Sequence, residues 1–520
     1  MEKKIMLIKK YIKENKKDLI IILIYAILTF IVTIFFHEKW RDEAQAWLLA
    51  RDLNPIELLK QMKYEGHPPL WHLILMPFAK LGFPYMTISI ISWGIMCVSS
   101  WILLRKSPFK QTTKILILFS APFIYFYPTI SRNYCLIPLA ISIIASIYPN
   151  RNEKKIQYVL SVLFLAYTHV LMLGLVGILY LFFFLEQLLY TKKNKKEKQI
   201  LGLAIAIALI GLLCLVAMLF GSIGTNNDIS TTNNLIIKVH SGKMFVRLVN
   251  LYIKNINILL RNIEVGIVGE IGYARGFNTI CFIAIIALLI FQIKVNRQNA
   301  IILVVSCLWQ MVIYLFIYSD TSGQKLNTMF LIFIFIAWIN LACDREKVDI
   351  IDDNFKKYIL QFCIFIVILS DILGLTNIQT EIKQKYSDSK NVADYINQNL
   401  NEDAIIVCTN CPTASAIIPY IKDAKFWNPF SKQYFSYIEW DDDFNVDIEV
   451  SEIINNIKNE LPLNNVYLIE SYEYIGLKDN SDIAILIEKG ILSKELYNSS
   501  RKLDGTIALD EVYKLYKVNL

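Results

Sequence analysis

Charged side chains make up only 19% of these 520 residues against 55% hydrophobic ones, and the mean hydropathy is +0.43, which excludes an ordinary soluble multidomain protein. The nine cysteines are scattered, and Cys97, Cys214, Cys281, Cys307 and Cys363 lie inside apolar runs where a thiol packs as a small hydrophobe, so a disulfide framework is excluded. Glycines number 19 and nowhere gather into a phosphate-cradling loop, so no nucleotide site is assigned. No internal repeat suggests the inverted halves of a transporter. No small-residue cleavage site follows the first apolar run, which therefore reads as a retained span and not a removed signal peptide. The net charge of +8 sits in short clusters between apolar runs, the habit of cytoplasmic loops, and this excludes nucleic acid as a partner.

What the chain does have is bilayer-length apolar sequence. A span needs roughly 20 apolar residues, and segments 19–36, 85–104, 115–130, 134–149, 156–170, 171–189, 200–221, 276–293, 299–318, 326–342 and 358–376 meet or approach this, about 11 in all. Basic clusters mark every second connection: Lys9 to Lys17, Arg105 to Lys114, Arg151 to Lys155, Lys192 to Lys198, Lys294 with Arg297, and Arg345 to Lys357. Lys and Arg stay on the cytoplasmic side. The expectation is a cell-membrane protein with its N-terminus inside, a transmembrane domain over 1–376 and an extracytoplasmic α/β domain over 377–520. Two outer segments are long, 37–84 and 222–275. In the tail, strand-like runs such as Ala404 to Cys408 and Asn465 to Ile469 alternate with helical ones such as Asn391 to Leu400.

The first outer loop is the most readable segment. Asp42 and Glu43 open a helix to about Leu53; Asn54-Pro55-Ile56-Glu57 is a cap, a first-turn proline and a first-turn acid. Gly66 stops that second helix, and Pro68-Pro69 starts a third, Leu70 to Leu81, short and amphipathic enough to lie on the membrane surface. The acid pair lies near the outer interface, where low water content favours a protein base. Asp42 also suits a helix cap and Glu43 the helix dipole, and a cap is a rigid mount, so these roles are compatible.

Glu65-Gly66-His67-Pro68-Pro69 joins a flexible turn, a titratable ring and two residues of fixed φ, though a His beside a turn is often a plain surface residue. Arg132, in the turn Ser131-Arg132-Asn133-Tyr134, has a fork suited to phosphate; the ordinary alternative is snorkelling to lipid headgroups. His169 and Gln324-Lys325, at the outer ends of later spans, are similar but weaker, His169 reading first as a satisfied helix-packing histidine, and Asp371 either works at membrane depth or marks where the last span ends. Cys408 and Cys411 are either a bridge or two unrelated thiols. Glu439 to Asp443 suits a divalent cation or, more simply, a solvated acidic loop.

Arg41-Asp42-Glu43-Ala44-Gln45-Ala46-Trp47 after a first span, then Gly66-His67-Pro68-Pro69-Leu70-Trp71, then Ser131-Arg132-Asn133-Tyr134, resembles the bacterial membrane glycosyltransferases of the GT-C superfamily, whose members include protein O-mannosyltransferases and the aminoarabinose transferase of lipid A. The resemblance runs over roughly 18–345. It implies Asp42 as general base with Glu43 in support, a polyprenyl-phosphate sugar as donor, Arg132 and Lys325 on the donor phosphate, and His67 shaping the site, with Tyr134, His169 and Gln324 nearby. Ala44-Gln45 departs from the best-known members, so sugar and acceptor (glycan, lipid or protein) do not carry over. No cofactor is required; a divalent cation is compatible. The rival readings are a transporter or flippase of a lipid-linked glycan, with charges near mid-membrane, and a scaffold or sensor anchored by its spans.

Overall fold

The computed structural model describes residues 15–189, 194–219, 286–316, 323–441, 448–462, 464–471, 481–499, 507–508 and 510–520. The outer segment expected over 222–275 lies outside them. Among the described residues, seven helices are long and apolar enough to cross a bilayer: α1 (Lys16–Phe36), α5 (Thr87–Lys106), α7 (Asn133–Asn150), α9 (Val170–Leu189), α10 (Lys195–Leu219), α13 (Gly323–Cys343) and α15 (Asp353–Lys383). The described parts of three more expected runs are occupied by the apolar helices α8 (Lys155–Ala166), α11 (Ile286–Val295) and α12 (Arg297–Phe316). The run 115–130 is broken: α6 (Gln111–Phe119) stops at Ser120, and the chain resumes as a widened turn from Pro122, which has no N–H to continue a helix. The count of eleven full spans is therefore not what the described residues display.

The first outer loop folds as three helices, α2 (Arg41–Asp52), α3 (Pro55–Glu65) and α4 (Leu70–Lys80). Local chemistry sets these ends. Asn54 Oδ1 accepts the Ile56 and Glu57 N–H groups at 2.9 and 3.0 Å, while Glu57 accepts the Asn54 N–H at 2.9 Å. Gly66 then takes φ +67°, which only glycine adopts without strain. Asp42 does not cap α2. Its N-cap is Trp40, whose N–H is accepted by Glu43 at 3.2 Å, leaving Asp42 one residue inside the helix and turned elsewhere.

A short helix, α14 (Arg345–Ile350), precedes α15, which runs on into the C-terminal region. There α16 (Ser389–Asn399), α17 (Val450–Glu460) and α18 (Ser481–Glu488) accompany a six-stranded sheet of β1 (Ile405–Cys408), β2 (Lys425–Asn428), β3 (Gln433–Phe435), β4 (Val466–Ser471), β5 (Tyr497–Asn498) and β6 (Tyr513–Lys517). The order is β3-β2-β1-β4-β6-β5, with β1 parallel to β2 and β4 and the outer pairs antiparallel. Alternate residues feed two cores. Ile405, Val407, Val466 and Leu468 pack with Ile453 and Ile457 of α17, while Ile406, Phe426 and Ile469 join the large core that includes Val392 and Ile396 of α16 and reaches the membrane helices. Cys408 and Cys411 are buried free thiols at the end of β1 and the turn after it.

The C-terminal region sits directly on the first loop. Gln45 exchanges hydrogen bonds with the Ile438 backbone, Nε2 to the carbonyl at 2.6 Å and Oε1 from the N–H at 2.9 Å. The Arg41 N–H donates to Glu511 at 2.8 Å and its guanidinium to Asp510, and Lys385 pairs with Glu38 at 2.5 Å.

Candidate active site

Two adjacent acids on the first turn of α2 go opposite ways. The Asp42 carboxylate stays 39% exposed and meets Nη1 of Arg132 at 2.5 Å, while Glu43 is fully buried. Arg132 itself is buried, in the turn just ahead of α7, and its fork is divided: Nη1 to Asp42 and Nη2 to Nε2 of His67 at 2.9 Å. Because His67 Nε2 accepts, Nδ1 carries the ring proton, and that buried N–H has no partner among the described residues. Burial and then the neighbouring Arg132 push the His67 imidazole well below its usual range, so the ring is neutral.

The cluster continues through rings. His67 lies 5.4 Å from His169, and His169 stacks on Tyr134 at 4.8 Å. His169 Nδ1 accepts the Leu171 N–H at 3.2 Å, so its Nε2–H faces the Tyr134 hydroxyl, also at 3.2 Å. Burial, Lys325 and Arg132 together push His169 down to about 3. Gln324 is buried and joins through its backbone carbonyl, which accepts the Tyr127 hydroxyl at 3.1 Å; Tyr127 in turn stacks on Tyr134. Asp42, His67, Arg132, Tyr134, His169 and Lys325 thus share one neighbourhood, in which the cations are Arg132 and Lys325 and the exposed carboxylate is that of Asp42.

Glu43 has a different set of partners. Its Oε1 accepts the Ser131 N–H at 2.7 Å, and its Oε2 accepts His37 Nε2 at 2.9 Å as well as the Trp40 N–H. The other nitrogen of His37 meets Glu381 of α15 at 3.0 Å, and Glu381 also takes the Tyr125 hydroxyl at 2.5 Å. Burial pulls His37 down, but the two flanking carboxylates outweigh it and hold the imidazolium up to about 10. Burial likewise pushes Glu43 up, yet the His37 cation and its hydrogen bond win, keeping the carboxylate below its usual range.

Sequence reasoning missed His37, Glu381, Gln45 and Lys39. The available signal was position: His37 ends the first apolar run, and Glu381 lies five residues past the run ending at 376. Glu65, seen only as part of a turn, accepts Gln45 Nε2 at 2.9 Å, and burial pushes it up to about 7. Lys39 is 2% exposed, with Nζ 3.5 Å from Met86 Sδ and 5.2 Å from the Tyr85 ring centre, and without a carboxylate in salt-bridge range among the described residues. Asp371 is half-buried in α15 with one carboxylate oxygen lacking a partner among the described residues; of the acidic run Glu439 to Asp443, Asp442 and Asp443 lie outside the described residues. No group of three or more His, Cys, Asp or Glu side chains suited to a metal ion occurs among the described residues.

No family model matches the chain, and no curated protein sequence matches it. Among solved structures, the chain is similar to the crystal structure of ArnT from Cupriavidus metallidurans bound to undecaprenyl phosphate, at 10% identity and a TM-score of 0.47, covering 96% of this chain and 98% of that one. It is similar to the apo ArnT structure at 9% identity and the same TM-score of 0.47, covering 97% and 98%.

Proposed function

We propose that this protein is a membrane glycosyltransferase of GT-C type that moves a monosaccharide from a polyprenyl-phosphate donor to an acceptor hydroxyl on the extracytoplasmic side. The observation that carries the reading is the buried fork of Arg132, shared between the exposed Asp42 carboxylate and His67, whose own Nδ1–H has no partner among the described residues. A buried donor left unpaired costs about 1–3 kcal/mol. An anionic oxygen seated there satisfies it and the guanidinium together.

A sugar on a lipid phosphate already carries a good leaving group, so the enzyme has two tasks: to take the proton from the attacking hydroxyl and to neutralise the departing phosphate. Asp42 takes the proton; Arg132, His67 and Lys325 meet the phosphate. The two tasks are linked through one ion pair. Without donor, Arg132 occupies the Asp42 oxygens; a donor phosphate competing for the same fork frees them to receive the acceptor's proton. With no protein nucleophile in the scheme, a single displacement inverts the anomeric centre. In this reading the loop over 37–84 lies along the outer leaflet, the N-terminus is cytoplasmic and residues 377–520 form an extracytoplasmic domain over the site.

The test is Asp42→Asn in purified protein. Turnover of a polyprenyl-phosphate sugar should fall at least a hundredfold while binding of the lipid phosphate is kept, and the wild-type product should show inverted anomeric configuration by NMR. A variant with undiminished turnover, or a product of retained configuration, rejects the mechanism; glycan export undisturbed by the substitution favours the transporter.

A further inference from the structure

His37 and Glu381 lie outside the reacting groups, yet they hold the most heavily bonded part of the first loop. Both oxygens of Glu43 are committed, one to the Ser131 N–H and the other to His37 and the Trp40 N–H, and the side chain is fully buried, so Glu43 presents no exposed oxygen. Its neighbour in sequence makes the parallel link: Asp42 on α2 pairs with Arg132, as Glu43 on α2 pairs with Ser131. Two adjacent acids therefore tie α2 to the Ser131–Arg132 turn by two adjacent bonds. The second bond is fully buried and depends on Glu43 remaining ionised in a site from which water is excluded.

We propose that His37 is a positioning residue that keeps the Asp42–Arg132 pair in register, acting as a cation clamped between Glu43 of α2 and Glu381 of α15, and that Glu43 serves this clamp rather than proton transfer. The inference rests on the reading of Asp42 and Arg132 as the working pair. The groups facing His37 are Glu43 from α2, Glu381 from α15, and the Tyr386 ring at 5.0 Å; Tyr125 closes the chain on Glu381, and Lys39 stands near Glu43 on the loop itself. One imidazolium between two carboxylates leaves a single net negative charge. Removing the cation leaves two buried anions face to face, and the cheapest relief is for one of them to take a proton. A protonated Glu43 holds the Ser131 N–H far less firmly, and the turn bearing Arg132 loses one of its two ties.

The experiment uses the full chain in lipid nanodiscs with undecaprenyl phosphate as probe, and reads the ratio of variant to wild-type Kd at pH 6 and pH 9, so that titration of the probe cancels. For His37→Gln we expect at least tenfold weaker binding at pH 6, shrinking toward wild type at pH 9 as Glu43 re-ionises. In the double variant His37→Gln/Glu381→Gln the opposed charge is gone, and binding at pH 6 should recover most of the loss. A His37→Gln ratio near one, or a loss that is equal at both pH values and not rescued by the double variant, overturns the clamp. Should His37→Gln fail to fold, Glu43→Gln, which fixes the side chain in an uncharged form, is read instead; a loss of threefold or more that is equal at pH 6 and pH 9 supports the clamp, and wild-type binding overturns it. Arg132→Ala is the separate control. If it binds the lipid phosphate as wild type does, the reading of the site fails; if it is crippled while His37→Gln is silent, only the clamp fails.

Discussion

Replacing Lys39 by Met should stabilise the protein. The ammonium is 2% exposed, touches Met86 Sδ and the Tyr85 ring, and has no carboxylate in salt-bridge range among the described residues. Burial pushes it from 10.5 down to about 8, which corresponds to about 3 kcal/mol against the charged form in the folded state. Between those two values the unfolded chain holds the proton and the folded one does not, so stability rises with pH across that window; below about 8 the penalty is present in full. Met matches the length of Lys, needs no charge buried, and its thioether suits a neighbouring sulfur and aromatic ring. The unfolding midpoint in detergent should therefore rise by several degrees at pH 7, as expected for a gain of up to about 3 kcal/mol, and the advantage should shrink steadily as the pH approaches 10.5. A midpoint that falls at pH 7, or a gain of the same size at pH 7 and pH 10, would refute the reasoning, because either result means the ammonium is not held at a cost.

Two further outcomes follow from the same physics. Burial pushes Glu511 up to about 8 from 4.5, so its folded form holds a proton that the unfolded chain loses, and stability should decline as pH rises through that window; Glu511→Gln should flatten the decline, measured as midpoint against pH, and an unchanged slope would count against it. Gly66→Ala meets no atom within 4 Å but must keep φ +67°, so it should cost about 1–2 kcal/mol through backbone strain alone and weaken lipid-phosphate binding by displacing His67; full stability would mean the turn is not needed in that form.

The loop helices were legible because their signals are local. Asn54, Pro55, Glu57 and Gly66 fix a start and a stop within a dozen residues, and the folded ends match them. The tail strands are equally local, since the unbroken apolar run Ile405 to Cys408 is itself the record of a strand buried on both faces. Where the sequence misleads, the deciding contact is distant. Nothing near Glu43 reveals that it faces His37 and, 88 residues on, Ser131, or that His37 reaches Glu381 across 344 positions. Asp42 and Glu43 look alike in sequence; only the direction each takes from the helix separates the accessible acid from the buried one. The broken run 115–130 is a milder case, in which composition says span and Pro122, just past the break at Ser120, says otherwise.

The attachment of Arg41 has a temporal side. Its guanidinium and N–H find their carboxylates at Asp510 and Glu511, 469 and 470 positions later in the chain. Contacts so remote close slowly, after the elements between them have formed. A ribosome that stopped short of residue 510 would release a protein with the seven long helices in place, yet with the acid-bearing helix lacking the contacts of Arg41 at its start. Synthesis of the long helices and the fastening of the first loop are thus separate events in the life of this molecule, and the second waits on the first.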